Sequence, residues 1–94
     1  MYLQNLWNNG GESVEYRIEV PHFYCLEYYE EDKKMIIEMD FREDYFILDD
    51  HLITHWEKPY DNIIIDINEK KRILFNVKQY LLTKTVPSHI IMRD

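Results

Sequence analysis

The stretch DINEKKRILFNVKQYLLT, residues 66–83, decides the fold, because its apolar side chains recur with the period of an α-helix. Ile73, Val77 and Leu81 are spaced four residues apart, which places them in one stripe along a helix. Five polar side chains fall outside this stripe and are expected to face solvent: Lys70, Lys71, Arg72, Lys78 and Gln79. The pattern therefore predicts an amphipathic helix with one face turned to a core.

A capping signal marks the start of this helix. Asp66 is a favoured N-cap residue, and Glu69 follows three residues later. In such a capping box each side chain accepts a hydrogen bond from the backbone N–H of the other residue, which satisfies two otherwise free donors. We therefore expect the helix to begin near residue 67 and to end near residue 83.

The chain before the helix has the period of β-strands instead. Apolar residues alternate with polar ones from residue 14 to 20 and again from 35 to 41, as in strands with one buried face. The complete set of predicted strands is 14–20, 22–29, 35–41, 45–48, 51–56 and a final edge strand at 90–92. We predict a single α+β domain, residues 1–94, in which an antiparallel meander of about five to six strands packs against one C-terminal amphipathic helix near residues 67–83.

The composition narrows the class of ligand. The chain has 94 residues, with 18 acidic and 11 basic side chains, and a net charge of −7. Phosphate binding depends on neutralisation by Lys and Arg, so this balance argues against a nucleic-acid ligand. The same charge would attract a basic protein, although an acidic surface can also serve only to keep a protein soluble. The composition alone does not choose between these two interpretations.

The sequence has none of the patterns that indicate export or membrane insertion. The first residues have neither a basic start nor an apolar run of signal-peptide length, and the longest aliphatic run, residues 63–65, is far too short to span a membrane. The only cysteine, Cys25, cannot form a disulfide within the chain, and we expect a packed core residue rather than a nucleophile. We therefore expect a cytoplasmic protein without a membrane contact.

The sequence also lacks the motifs of catalytic and cofactor sites. It has no glycine-rich phosphate loop, no nucleophile elbow and no paired cysteines, and its only two glycines are adjacent. On a strand, His51 and His55 would lie roughly 13 Å apart, which is too far for one metal ion. We therefore expect no catalytic residue, no cofactor and no metal site. An enzyme of unfamiliar type that uses Asp49, His51 or His55 is kept as a rival hypothesis.

Acidic side chains are concentrated between residues 27 and 50, where sequential hairpins would gather them on one side of the molecule. Together they form a candidate docking surface, although each acid taken singly is most simply a solvated loop residue. Tyr28 and Tyr29 are expected to be exposed there as apolar anchors. Trp56 is expected to fill the core, and Tyr60 has either a structural or an interface role. The predicted partner-binding residues are Glu27, Tyr28, Tyr29, Glu30, Glu31, Asp32, Glu43, Asp44, Asp49, Asp50 and Tyr60.

One segment combines a tryptophan at the end of a predicted strand, a proline loop and a capped helix. Its residues are Ile53, Thr54, His55, Trp56, Pro59, Tyr60, Asp61, Ile65, Asp66, Lys71, Ile73, Asn76 and Leu81. In this combination the segment resembles immunity proteins of bacterial polymorphic-toxin systems, among them those of contact-dependent growth inhibition.

The resemblance implies a cytosolic protein that is made beside a secreted toxin and protects the producing cell by binding that toxin tightly. Such proteins commonly cover the active site of the toxin, and many of the toxins are nucleases. Nucleases are often basic because their substrate is anionic, so an acidic immunity protein would complement one. We therefore expect an immunity protein that neutralises a cognate basic nuclease toxin. The alternative is an adaptor or assembly subunit that inhibits nothing, and the sequence does not predict the oligomeric state.

Overall fold

The computed structural model describes residues 15–84 and 89–93. Its elements, in chain order, are strand β1 (Tyr16–His22), strand β2 (Cys25–Glu30), strand β3 (Lys33–Glu38), strand β4 (Phe46–Leu48), a 3-10 turn (Asp50–Leu52), helix α1 (Ile67–Leu82) and strand β5 (Ile90–Met92). Residue 14, at the start of the first predicted strand, lies outside the described residues. The predicted α+β class is confirmed, whereas the arrangement of the strands differs from the predicted one.

Strands β1, β2 and β3 form an antiparallel sheet with β2 in the centre. The tight turn between β2 and β3 consists of Glu31 and Asp32, and Glu31 has a φ of +56°, the left-handed conformation typical of short hairpin turns. The register between β1 and β2 shifts between Glu19 and His22. Pro21 lies in this interval and has no N–H to donate, which accounts for the local break in the ladder.

The other two strands form a separate pair. Strand β4 pairs with β5, which follows α1 in the chain, and the two strands are parallel. This corrects the predicted meander of five to six strands, because the antiparallel sheet has three. Residues 42–44 are likewise not the loop of a hairpin, since β4 does not pair with β3. A parallel partner needs a long crossover connection, and α1 supplies it.

The segment predicted as a strand at 51–56 is instead a 3-10 turn followed by irregular chain. The side chain of Asp49 accepts a hydrogen bond from the backbone N–H of His51 at 3.0 Å, and such local bonds compete with the ladder of a sheet. The irregular chain still approaches β3, because the N–H of Glu57 donates to the carbonyl of Lys34 at 2.7 Å. Trp56 is completely buried, as predicted.

Helix α1 begins where the capping signal predicts. The N–H of Glu69 donates to Asp66 Oδ1 at 2.8 Å, and the N–H of Asp66 donates to Glu69 Oε1 at 3.2 Å. The helix ends at Leu82, one residue before the predicted end. Its buried residues are Ile73, Leu74, Asn76, Val77 and Leu81. The predicted apolar stripe is therefore confirmed, and it packs on the inner face of the antiparallel sheet.

The core lies between this stripe and the sheet. Its sheet side is formed by side chains that alternate along β2 and β3: Leu26, Tyr28, Met35 and Ile37. Leu48, Ile53 and Trp56 from the chain that follows complete it. Cys25 is buried and has a free thiol, so the prediction of a packed cysteine is confirmed. The opposite, outer face of the sheet is turned away from α1.

Candidate functional site

Two of the predicted partner-binding residues lie inside the molecule. Tyr28 is completely buried under α1, and Glu30 is only 2 % exposed. The Tyr28 hydroxyl donates to Glu30 Oε2 at 2.5 Å. Burial raises the pKa of Tyr28, and the neighbouring Glu30 carboxylate raises this pKa further. The prediction that Tyr28 is exposed is wrong, because alternation along β2 places residues 26, 28 and 30 against the helix.

Two side chains of α1 complete this buried polar group. Arg72 donates to both carboxylate oxygens of Glu30, at 2.7 Å from Nη2 and 3.2 Å from Nε. Asn76 Nδ2 donates to the Tyr28 hydroxyl at 2.8 Å. The prediction that Arg72 lies on the solvent face is therefore wrong, because a long side chain can reach around the helix to a buried carboxylate. Glu30 has its charge satisfied inside the protein.

Glu27 and Tyr29 lie on the outer face of the sheet, where they also have partners. The Tyr29 hydroxyl donates to Glu27 Oε1 at 2.9 Å, and Lys34 Nζ lies 3.3 Å from Glu27 Oε2. The hydrogen bond from Tyr29, followed by that from Lys34, lowers the pKa of Glu27. The guanidinium carbon of Arg17 lies 4.0 Å from the centre of the Tyr29 ring. This part of the outer face carries both signs of charge.

The two acidic residues of the β2–β3 turn also have partners within the protein. Lys33 Nζ lies 3.3 Å from Glu31 Oε1. The Tyr60 hydroxyl donates to Asp32 Oδ2 at 3.1 Å, and this bond raises the pKa of Tyr60. Tyr60 is half-buried and packs against the core, so a structural role is clear, while a role in partner binding stays a prediction.

Glu43 and Asp44 are exposed, and Asp49 and Asp50 lie beside His51. One ligand atom from each of Asp49, Asp50 and His51 lies within 4.8 Å of the others, a spacing that could hold a metal ion. The three residues are consecutive, and the His51 side chain is 91 % exposed. The ring therefore has no surrounding shell to fix its orientation, which protein metal sites generally require.

Three shallow depressions meet at Glu38, the last residue of β3, and each of them is lined by it. The first depression also contains Tyr24 and Asp40, and the third contains Asp40, Glu43 and Tyr45. The second contains Glu57, His51 and His55. We call the following residues the Glu38 surface: Tyr24, Glu38, Asp40, Glu43, Tyr45 and Glu57.

The Glu38 surface is strongly acidic. Neither Glu38 nor Glu43 lies within ion-pair distance of a cation in the part of the chain that the structure describes. The one arginine at this surface, Arg42, is held by Asp40 through two bonds of 3.1 Å, and these bonds lower the pKa of Asp40. The Arg42 guanidinium carbon also lies 4.5 Å from the centre of the Tyr24 ring.

The predicted set and the Glu38 surface share Glu43, with Asp44 as a direct neighbour in sequence. Glu38 and Asp40 lie in the acid-rich region but are absent from the predicted set, and Tyr24 is absent as well. The alternation of side chains along β3 could have indicated that Glu38 is exposed, because Glu38 directly follows the apolar Ile37, which is buried. Tyr24 and Tyr45, at 51 % and 47 % exposed, carried no signal in the sequence that separated them from core tyrosines.

The rival enzyme hypothesis requires Asp49, His51 and His55 to converge in one pocket. His51 and His55 do line the same depression, whereas Asp49 does not. His55 Nε2 lies 3.9 Å from Glu57 Oε2, and both histidines are largely exposed. The geometry offers two imidazoles and two carboxylates in an open groove, and Asp49 Oδ1 lies 3.5 Å from His51 Nδ1 at its side.

No family model, curated protein or solved structure matches this chain. Within residues 15–84 and 89–93, no helix has the length and the apolar character that a membrane crossing requires.

Proposed function

We propose that this chain is an immunity protein that binds a basic toxin domain through the Glu38 surface and thereby covers the active site of the toxin. The observation that carries the proposal is the meeting of three depressions at Glu38, which no cation among the described residues neutralises, with further acids around it. The resemblance of residues 53–82 to immunity proteins supports the biological setting.

The chemistry of the surface favours a partner with lysines or arginines. Glu38 and Glu43 carry charges that no described cation neutralises, so a basic partner would gain new ion pairs without breaking old ones. Unpaired surface charges of one sign also raise the rate of encounter with an oppositely charged protein. Acidic side chains that already form an ion pair within the protein, such as Glu30, would contribute little to this attraction.

Tyr24 and Tyr45 give the same surface two exposed aromatic side chains. Aromatic rings with a polar end are frequent anchors of protein interfaces, because they bury a large apolar area and lose few rotamers. They would supply affinity at short range, while the carboxylates supply attraction at long range. In this mechanism the carboxylates occupy positions that a nuclease uses for phosphate groups, and the substrate is excluded.

The first test examines the protein encoded immediately upstream of this chain. That protein is expressed alone and together with this chain, and growth and co-purification are measured. We expect its C-terminal part to stop growth alone, to be tolerated in the presence of this chain, and to co-purify with it. A harmless neighbour that does not co-purify would contradict the immunity proposal and favour the adaptor alternative.

The second test examines the surface. The double variant Glu38→Lys with Glu43→Lys should slow association with the toxin about tenfold or more at low salt, and the difference should shrink as salt is added. The matched control is Glu15→Lys with Asp61→Lys, which makes the same change in net charge at exposed positions outside the Glu38 surface. Equal effects of the two double variants would show that only net charge matters.

A further inference from the structure

The charge of this chain is divided unevenly along its length. Residues 15–60 contain 13 acidic and 5 basic side chains, whereas residues 61–84 contain 3 acidic and 5 basic ones. From Lys70 to Lys84 there is no acidic residue at all. The acidic chain therefore carries one basic segment, and this segment is the larger part of α1.

Three lysines of α1 differ from the arginines and lysines that carboxylates hold in ion pairs. The cations that form ion pairs with carboxylates are Arg17, Lys33, Lys34, Arg42 and Arg72. Among the residues that the structure describes, Lys70, Lys71 and Lys78 have no carboxylate within ion-pair distance. Their charges are thus available to an anionic group from outside the molecule.

An exposed phenylalanine lies between two of these lysines. Phe75 is 48 % exposed, although it belongs to the helix whose apolar stripe packs on the core. Lys71 precedes it by four residues and Lys78 follows it by three, and side chains at these spacings are neighbours on a helix surface. We call Lys71, Phe75 and Lys78 the helix face. It points away from the buried stripe of Ile73 and Val77.

The helix face and Glu38 lie on opposite sides of the antiparallel sheet. Glu38 shares the parity of Lys34 and Ile36 in β3 and so belongs to the outer face of the sheet, whereas α1 covers the inner face. The molecule measures 34 × 29 × 26 Å, and charges in water are screened beyond about 8 Å at physiological ionic strength. Each surface therefore acts by its local charge, despite the net charge of −7.

We infer that the helix face of one copy docks on the Glu38 surface of a second copy. The two surfaces are complementary in kind: two lysines and a phenylalanine on one side face unpaired carboxylates and two exposed tyrosines on the other. Lys71 and Lys78 are about 10 Å apart along the helix, so they can reach separate carboxylates. A contact between two different surfaces is head-to-tail, and it continues as a chain of copies unless a ring closes.

This inference rests on the proposed function, because it assigns the same Glu38 surface to two competing occupants. A toxin that binds there would displace the second copy, so self-association would be the resting state and toxin binding would release single copies. The contact depends on exposed charges, and such contacts are individually weak and sensitive to salt. Low affinity would allow the toxin to win the competition.

The experiment is sedimentation velocity of the full chain over a wide range of concentration at low salt. The wild-type protein should show a weight-average sedimentation coefficient that rises with concentration, and added salt should abolish the rise. Two variants break one surface each: Lys71→Glu with Lys78→Glu, and Glu38→Lys with Glu43→Lys. Each should remain monomeric alone. An equimolar mixture of the two should associate again, because the intact basic face of one variant meets the intact acidic surface of the other, and the two reversed surfaces also carry opposite charges.

Several outcomes would overturn the inference. A wild-type protein that stays monomeric at low salt would do so directly. Self-association that survives in the Glu38→Lys, Glu43→Lys variant would show that the Glu38 surface is not part of the contact. A monomeric wild type that co-floats with vesicles containing anionic phosphatidylglycerol, and loses this with Lys71→Glu and Lys78→Glu, would assign the helix face to a membrane. Phe75→Ser is the variant without a charge change, and it should weaken the self-association as well.

The failure of this inference can be told apart from failure of the proposed function. The helix-face variant should bind the toxin at least as fast as the wild type, because its Glu38 surface is intact and no second copy occupies it. If that variant binds toxin but the wild type never self-associates, only the further inference is wrong. If the wild type self-associates as described and no basic toxin binds, the proposed function is wrong and the head-to-tail contact stands.

Discussion

Strand β2 carries the same two residue types on each of its faces, in very different surroundings. On the inner face the hydroxyl of Tyr28 donates to Glu30 at 2.5 Å, and on the outer face the hydroxyl of Tyr29 donates to Glu27 at 2.9 Å. The inner pair is buried beneath a helix, whereas the outer pair is only half-buried and touches water. The chemical groups match, so the burial of each pair is the variable that differs.

The cation that completes each pair shows what burial changes. Arg72 reaches Glu30 from the helix, and the contact spans 42 positions of the chain. Lys34 reaches Glu27 from the adjacent strand. The inner group therefore links α1 to the sheet in a buried place. If either the carboxylate or the guanidinium were removed there, the remaining charge would have no water to solvate it. The outer group only joins neighbours within the sheet, and water can replace any member. The same tyrosine–carboxylate–cation unit thus joins the helix to the sheet where it is buried and joins only neighbouring strands where it touches water.

The largest effect is expected from removing the buried charge. Glu30→Gln should lower the free energy of unfolding by about 3–5 kcal/mol, because the guanidinium of Arg72 then keeps its charge without a carboxylate partner. That is a large part of the about 5–15 kcal/mol that stabilises a typical domain. The measurement is the midpoint of urea unfolding at neutral pH, monitored by far-ultraviolet circular dichroism.

The matched control for this variant is Glu27→Gln on the outer face. It removes the same charge next to a tyrosine and a cation, and we expect only a small shift of the urea midpoint at neutral pH, because ion pairs in contact with water contribute little. If the two variants lower the midpoint equally, burial is not what distinguishes the two faces.

A smaller effect is expected from the hydroxyl groups alone. Tyr28→Phe should cost about 1–3 kcal/mol, because it leaves Glu30 and Asn76 each short of one hydrogen bond in a buried site. Tyr29→Phe removes a hydroxyl whose partner can bond to water and should leave the midpoint where it is. Both variants keep the ring, so packing is held constant, and a loss in Tyr29→Phe as large as that in Tyr28→Phe would contradict the comparison.

The two tyrosines should also separate in an alkaline titration. Burial and the Glu30 carboxylate raise the pKa of Tyr28 above its ordinary value of 10.0. A group whose pKa is raised by folding contributes stability that is present below its unfolded pKa and is lost as the pH rises above it. The wild type should therefore lose stability above about pH 10 more steeply than Tyr28→Phe does. Absorbance at the tyrosinate band should show one tyrosine that ionises only with unfolding.

The smallest effect is expected at acid pH. The hydrogen bonds from Tyr29 and Lys34 lower the pKa of Glu27 from its ordinary value of 4.5. A lowered pKa contributes stability that is present above the unfolded pKa and is lost as the pH falls through the folded one. The urea midpoints of the wild type and Glu27→Gln, compared between neutral pH and pH values below the ordinary range of Glu, should converge at the acid end. If the difference between the two midpoints widened towards acid pH, folding would raise the pKa of Glu27 instead of lowering it.

The start and the buried face of α1 depend on residues that are close together in sequence. Asp66 and Glu69 specify the start of α1 by a bond that each makes to the backbone of the other, and both residues belong to the same turn. The spacing of Ile73 and Val77 specifies which side of the helix is buried. The burial of Trp56 followed from its size and apolar character. These outcomes were predictable because each depends on residues that are close in sequence or on hydrophobicity alone.

The pairing of the strands could not be predicted from neighbouring residues alone. Residues 51–56 have the composition of a strand, but the bond from the His51 N–H to Asp49 starts a 3-10 turn there instead. The partner of β4 lies after the helix, and no alternation within β4 distinguishes that partner from β3. Pairing depends on where α1 returns the chain, which is a property of the whole fold.

For the candidate site, the sequence shows which charges are present: an excess of acids, most of them before residue 60, and a basic segment in the helix. The fold sets which of these charges are available to a partner. Arg72 neutralises Glu30 across the core, whereas Glu38 lies where three depressions meet, with no cation of the described residues within ion-pair distance. The physical reason is that a charge is neutralised by whichever group lies within a few ångströms in space, and spacing along the chain does not give that distance for residues on different elements.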